Sequence, residues 1–206
     1  MIAIINYEAG NLASVSNAFK RLDEPHIITN KKEELDEADG IIFPGVGHAQ
    51  PAMKSLQKNG LDQWLKNTSK PVLGICLGMQ LFYESSEESE SEGLGIIPGR
   101  LKKFDSSEAK VPHMGWNTFR DISAHPLISS LTTEQFFYYV HSFFAPLNSY
   151  TVATCQYIQP FTSVVCRDNF WGVQFHPEKS GKVGSLLLQN FLLYVHDSNN
   201  HAKVGK

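Results

Sequence analysis

Short apolar runs alternate with helix-period segments over the first 84 residues, and this alternation constrains the fold more than any other feature of the chain. Ile2 to Asn6 is an apolar run of the buried-strand kind, and Leu12, Val15, Phe19 and Leu22 then recur at helical spacing. His26 to Thr29 reads as a second strand and Lys31 to Ala38 as a charged helix. Gly40 to Phe43 is a third strand, stopped by Pro44-Gly45. Residues 50 to 68 carry one or two helices broken at Gly60; Pro71 to Cys76 is strand-like, and Leu77 to Glu84 reads as helix. Strands and helices in this order predict βαβ units on a parallel sheet.

The rhythm then changes. Ser85 to Gly93 is acidic, serine-rich and without apolar content, which reads as an exposed loop. From Arg100 strand follows strand, at 100–104, 115–120, 136–141, 151–157, 162–167 and 170–175, partly as antiparallel hairpins. Phe136 to Val140 reads as a fully buried strand, and a last helix spans Gly181 to His196 with a broad apolar face. The expected fold is α/β: an open, mostly parallel central sheet with flanking helices and additional antiparallel strands in the second half. One domain is expected over 1–198, followed by a frayed polar tail over 199–206.

Composition narrows the function. An apolar content of 42% supports a packed core and argues against disorder. Eighteen basic against 21 acidic residues lack the surplus that phosphate contacts demand, so no nucleic-acid partner is expected. No apolar stretch approaches the length of a membrane span, and Met1 to Asn6 lacks the marks of a secretory signal. The three cysteines, Cys76, Cys155 and Cys166, cannot all pair and form no C-x-x-C, so a reducing cytoplasm is the expected compartment.

The sharpest local signal is Gly74-Ile-Cys76-Leu-Gly78, where a predicted strand meets a predicted helix. Flanking glycines permit a tight turn that lifts a nucleophile clear of the sheet, and the N–H of the next residue, Leu77, can serve an oxyanion hole. A helix N-terminus also favours the reactive thiolate. With 15 glycines in 206 residues, chance flanking of any of three cysteines occurs about 2% of the time, so a buried structural cysteine is the weaker reading.

A cysteine nucleophile needs a base, and the base needs an orienter. Of eight histidines only His176 has an acid two residues on, in Phe175-His-Pro-Glu178. An extended segment would put His176 and Glu178 on one side, so the carboxylate could fix one imidazole tautomer. Pro44-Gly-Val46-Gly47 ends the third strand, and its glycines allow the Val46 peptide to offer a second oxyanion N–H. Neither a dinucleotide fingerprint nor a Walker sequence is present, no cluster has metal-ligand spacing, and no cofactor is expected. Cys155 and Cys166 lie in strand-like runs as small core residues, and His113 and His141 read as packing or hydrogen-bonding histidines.

An elbow cysteine, a distant His-x-Glu and a glycine-rich loop together resemble the class I (triad) glutamine amidotransferases. The resemblance is closest to the glutaminase subunits of imidazole glycerol phosphate synthase. It is carried by Gly74 to Glu88, Pro44 to Gly47, Gly93-Leu-Gly95, Ile97 to Arg100, Val111 to Asn117, Tyr139 to Ser142 and Gly172 to Ser180, and it covers about residues 1–196. The resemblance implies that Cys76 is the nucleophile, His176 the general acid/base and Glu178 its orienter, with oxyanion donors from Val46 and Leu77. It places Gly47, Gln80 and Ser142 at the amino-acid end of L-glutamine. It further implies a separate (β/α)₈ cyclase subunit that receives the ammonia in histidine biosynthesis, as a heterodimer. Asn11 and Lys179 lie beside the site, where an interface role and ordinary surface exposure both fit. The sequence departs from the family at Asn6-Tyr-Glu8, usually Asp-Tyr-Gly, and at Phe143, usually tyrosine. Other readings stay open from the residues alone: a glutaminase serving another synthase, a cysteine peptidase or chaperone-like protein on a similar sheet, or a catalytically dead interaction module.

Overall fold

The computed structural model describes the backbone of residues 1–204 and the side chains of residues 1–198. Its first half runs β1 (Ile2–Ile5), α1 (Leu12–Arg21), β2 (His26–Thr29), α2 (Lys32–Glu37), β3 (Gly40–Gly45), α3 (Ala49–Lys58), α4 (Leu61–Asn67), β4 (Val72–Cys76) and α5 (Leu77–Gln80). There follow β5 (Tyr83–Ser86), β6 (Ser91–Glu92), β7 (Ile97–Lys103), β8 (His113–Ile122), β9 (Phe136–His141), β10 (Phe143–Phe144), β11 (Thr151–Gln156), β12 (Pro160–Arg167), β13 (Phe170–Val173) and α6 (Gly181–Val204).

Nine strands form the central sheet in the order β2-β1-β3-β4-β13-β12-β11-β8-β9. The pairings from β2 through β13 are parallel, and those from β13 out to β9 are antiparallel. Along β1, Ile2 and Ile4 enter one core layer while Ala3 and Ile5 enter the other. A strand covered on both faces must be apolar at every position, which is why the early strands read as continuous runs. Residues of α1 and α6 pack one face, and residues of α2, α3 and α4 the other.

Local chemistry sets the boundaries. Asn11 Oδ1 accepts from Ser14 N at 3.2 Å and caps α1, which gives Asn11 a structural task. Gly60, at φ +62°, takes the left-handed turn between α3 and α4.

Several expectations are corrected. The helix expected over Leu77 to Glu84 lasts only through Gln80, and the chain turns into β5. The segment expected as a loop, Ser85 to Gly93, forms the β5–β6 hairpin of a second sheet, ordered β10-β7-β5-β6. Ser86 and Ser91 are buried there as a cross-strand pair, small enough to sit under the sheet without apolar bulk. Phe136 to Val140 is not fully buried: β9 alternates, with Phe137 and Tyr139 inside and Phe136 56% exposed. The final helix continues to Val204, so the tail expected from 199 is helical in its backbone through that residue; 205 and 206 lie outside the described residues. Among the described residues no helix is long and apolar enough to cross a membrane.

Candidate active site

Three adjacent parallel strands end at one edge of the sheet. β4 lies between β3 and β13, with Gly45 opposite Cys76 and Val173 opposite Ile75. This register brings together three segments far apart in sequence: the Pro44-Gly-Val-Gly47 loop, the Cys76 elbow and the Gln174-Phe-His176 segment. Ligand sites in open α/β sheets gather at such carboxyl ends.

Cys76 has φ +52° and ψ −109°, a strained backbone for a residue with a side chain. The turn is held by close packing. A Cβ on Gly78 would lie 1.9 Å from the Phe43 carbonyl oxygen, and one on Gly74 2.6 Å from the Phe82 ring. Gly47, at φ +96° with open space around it, owes its identity to backbone conformation alone. The buried Tyr7 hydroxyl donates to the Pro44 carbonyl at 2.6 Å and ties the loop to β1. Glu8, where the family usually carries glycine, adopts φ +64° nonetheless.

His176 Nδ1 lies 2.8 Å from Glu178 Oε1, and both side chains are almost wholly buried. The sequence expectation of a shared side in an extended segment is corrected here. Glu178 sits in a 3₁₀ turn, Pro177–Lys179, that folds it back under the ring. The backbone N–H of His176 donates to the Tyr138 carbonyl at 2.9 Å, and Ser180 Oγ donates to the His176 carbonyl at 2.7 Å, so the ring has a fixed seat. His176 Nε2 and Glu178 Oε2 are buried without hydrogen-bond partners. Burial lowers the His176 pKa, but the Cys76 sulfur and the Glu178 carboxylate outweigh it and push the imidazole up to about 10.

One cavity of about 310 Å³ collects these groups, at the small end of ligand pockets. Of the residues expected to do chemistry or hold substrate, all but Glu178 line it: Val46, Gly47, Cys76, Leu77, Gln80, Ser142 and His176. Glu178 stands behind the imidazole. Such a set can perform acyl transfer, with a thiol nucleophile, an oriented base and backbone donors nearby. Among the described residues no group of three or more His, Cys, Asp or Glu side chains could hold a metal ion.

Other residues line the cavity as well; sequence reasoning missed Glu88, read His141 as a packing or hydrogen-bonding histidine, and noted Phe143 as a departure from the family. Glu88, inside the acidic stretch, reaches the cavity wall; its oxygens are 2.9 Å from His48 Nδ1 and 2.7 Å from Ala49 N. Glu88 is the one acidic residue among those lining the cavity, and so a candidate for receiving an ammonium group. Phe143 also lines it and offers a ring where the family usually has a phenol. His141 lines it too, while its Nδ1 donates to the Phe143 carbonyl at 2.8 Å and its Nε2 accepts from His113 Nδ1 at 3.0 Å.

Burial pushes His141 down to about 3 and His113 down to about 4. Both stay neutral in the fold, whereas in the unfolded chain each takes up a proton near its ordinary value of 6.5. The contribution of these two histidines to stability is therefore intact above about pH 6.5 and is lost as pH falls from there toward 3 to 4. His113→Gln is expected to flatten that acid loss by up to about 1.4 kcal/mol per pH unit in urea denaturation. An unchanged slope would show that this ring is not held neutral by the fold.

The family model for glutamine amidotransferase class-I matches residues 3–195. The imidazole glycerol phosphate synthase subunit HisH of Bacteroides thetaiotaomicron is 48% identical over 193 residues, covering 93% of this chain and 98% of that protein. The same subunit of Pasteurella multocida is 44% identical over 191 residues, covering 93% and 96%. In fold, a crystal structure of glutamine amidotransferase superposes with TM-score 0.74 at 16% identity, covering 95% of this chain and 100% of that one. A Thermotoga maritima glutamine amidotransferase gives 0.62 at 16%, covering 98% and 85%. The chain belongs to the class-I glutamine amidotransferase family, on the branch of the HisH subunits of imidazole glycerol phosphate synthase.

Proposed function

We propose that this chain hydrolyses L-glutamine to glutamate and ammonia at Cys76. We further propose that it passes the ammonia to a separate cyclase subunit, which forms imidazole glycerol phosphate and an aminoimidazole carboxamide ribotide in histidine biosynthesis. The observation that carries this reading is the meeting of a strained elbow cysteine with a buried His–Glu pair in one cavity of a HisH-like chain. The catalytic unit is assigned to residues 1–198, in the cytoplasm where three free thiols persist.

The Cys76 thiolate attacks the side-chain amide carbon of glutamine. The N–H groups of Val46 and Leu77 take the oxyanion of the tetrahedral intermediate. His176 gives its proton to the departing nitrogen, ammonia leaves, and a γ-glutamyl thioester remains on the sulfur. The same imidazole then takes a proton from water, whose attack releases glutamate. Glu178 holds the ring throughout and stabilises its cationic form. Gly47, Gln80 and Ser142 seat the amino-acid end of glutamine, and Glu88 receives its ammonium.

Ammonia released to neutral water is mostly protonated and no longer nucleophilic, so the acceptor must cover the site. A surface beside the cavity supports this. Met114 and Trp116 on β8 stand 61% and 56% exposed, paired across the ladder with Val140 and Tyr138 on the edge strand β9. Val140 also lines the cavity, so the apolar face runs from the cavity wall outward. Lys179, stacked 5.8 Å over the Tyr138 ring, borders the same face.

The test is a glutaminase assay with and without the cyclase and its ribotide ligand. Slow hydrolysis by the chain alone, rising about tenfold or more on addition of both, is expected, because a glycine-flanked Val46 peptide can turn between two orientations. Trp116→Ala should weaken that activation. A full rate without partner or ligand would refute the coupling, and no ammonia under any condition would refute the glutaminase.

A further inference from the structure

Gln174 is fully buried next to the sheet edge, and no step of the chemistry above uses it. Its amide belongs to a hydrogen-bond chain whose polarity is set at one end. The carbonyl oxygen of Phe143 can only accept. Gln80 Nε2 donates to it at 3.0 Å and to Gln174 Oε1 at 2.9 Å. With its oxygen committed to Gln80, Gln174 must direct its Nε2 at Cys76 Sγ, 3.7 Å away. Turning the Gln174 amide over would set donor against donor at Gln80 and leave a buried oxygen facing sulfur, at the cost of two buried hydrogen bonds.

The rest of the sulfur's surroundings make that N–H consequential. Besides the His176 imidazole, which interacts with the sulfur, Cys76 Sγ has the Val140 carbonyl oxygen at 3.9 Å. A carbonyl can take a proton from the thiol, but toward a thiolate it offers only the negative end of a dipole. The Gln174 amide works in the opposite sense: it is a fixed donor that gains strength when the sulfur is charged. Through Gln80 the same chain reaches the Phe143 carbonyl, one residue beyond Ser142.

We infer that Gln174 is a positioning residue for the nucleophile. Its N–H holds the Cys76 sulfur in the anionic, attack-ready state, and Gln80 links that state to the Ser142–Phe143 segment that seats substrate. This rests on the reading of Cys76 as the nucleophile.

The test uses the full chain and Gln174→Met, which keeps length and apolar volume but has no donor. The rate of Cys76 alkylation by iodoacetamide is followed across about pH 5 to 10 by mass spectrometry of the Cys76 peptide, which separates it from Cys155 and Cys166. Alkylation near pH 7 is expected to slow about tenfold, with the inflexion of the profile moving to higher pH. The kcat for glutamine should fall in parallel while KM stays within about twofold. A role in packing alone would lower Tm and leave the inflexion in place. Superimposable alkylation profiles of parent and variant would overturn the inference. Should Gln174→Met fail to fold, the isosteric Gln174→Glu replaces it: a carboxylate against the sulfur is expected to slow alkylation further, and an unchanged rate would overturn the inference. If Cys76→Ala still turned over glutamine, the nucleophile reading itself would fall. If that variant is dead and Gln174→Met matches the parent, only the present inference fails.

Discussion

Cys76→Ala is expected to lower glutamine-dependent turnover by at least about a thousandfold while leaving the complex able to make product from added ammonium salt. The first half follows because a methyl group cannot form the thioester, and residual oxyanion binding without a nucleophile gives little. The second follows from structure. Alanine carries the same Cβ as cysteine, so it meets the same strain at φ +52°, and the elbow stays packed against Phe43 and Phe82. With the cavity walls in place, the apolar face at Met114 and Trp116, proposed above to dock the acceptor, is undisturbed, so the complex is expected still to use ammonia from solution. Parallel steady-state assays with glutamine and with an ammonium salt decide it. Loss of both activities would mean that Cys76 supports the interface or the fold, and retention of both would remove it from the chemistry.

The parts of this site that the sequence made legible share one property: each is a backbone requirement or a covalent neighbour. Glycines around Cys76 mark a turn that side chains cannot enter, and Glu178 lies two residues from His176. The sheet alternation was legible for a similar reason, since strands buried on both faces must be apolar throughout. What stayed hidden depends on pairing across the fold. Glu88 sits among acidic and serine residues with nothing local to separate it from solvated neighbours, and only the β5–β6 hairpin carries it to His48 and the cavity. Gln174, an amide between Val173 and Phe175 in a buried run, did carry a signal, because a buried amide must find partners. Its partners, Gln80 and Cys76, lie almost a hundred positions away. Phe136 misled because an aromatic run has the same composition whether a strand is buried on both faces or stands at a sheet edge with one face open for a partner.

Glu178→Gln should separate the electrostatic role of that carboxylate from its shape. Glutamine fills the same volume and can still accept from Nδ1, yet it carries no charge. It can also present its amide N–H₂ to the ring and favour the wrong tautomer. A fall in kcat of about a hundredfold to ten-thousandfold is expected, with KM little changed. The fold reports the same interaction independently. The His176 pKa is raised to about 10 from 6.5, with Glu178 among the causes, so the fold binds that proton more tightly than the unfolded chain does. The resulting stabilisation is fully present below about pH 6.5 and is lost as pH rises toward 10. Most of the Glu178 share disappears in the variant. Other ionisable groups titrate alike in both proteins and cancel in the difference, so the stability gap between parent and variant should be widest near pH 6 and close toward pH 10. Urea denaturation at several pH values measures it. A gap that is constant with pH, together with a kcat loss below about tenfold, would assign Glu178 to packing and leave His176 oriented by its backbone anchors to Tyr138 and Ser180 alone.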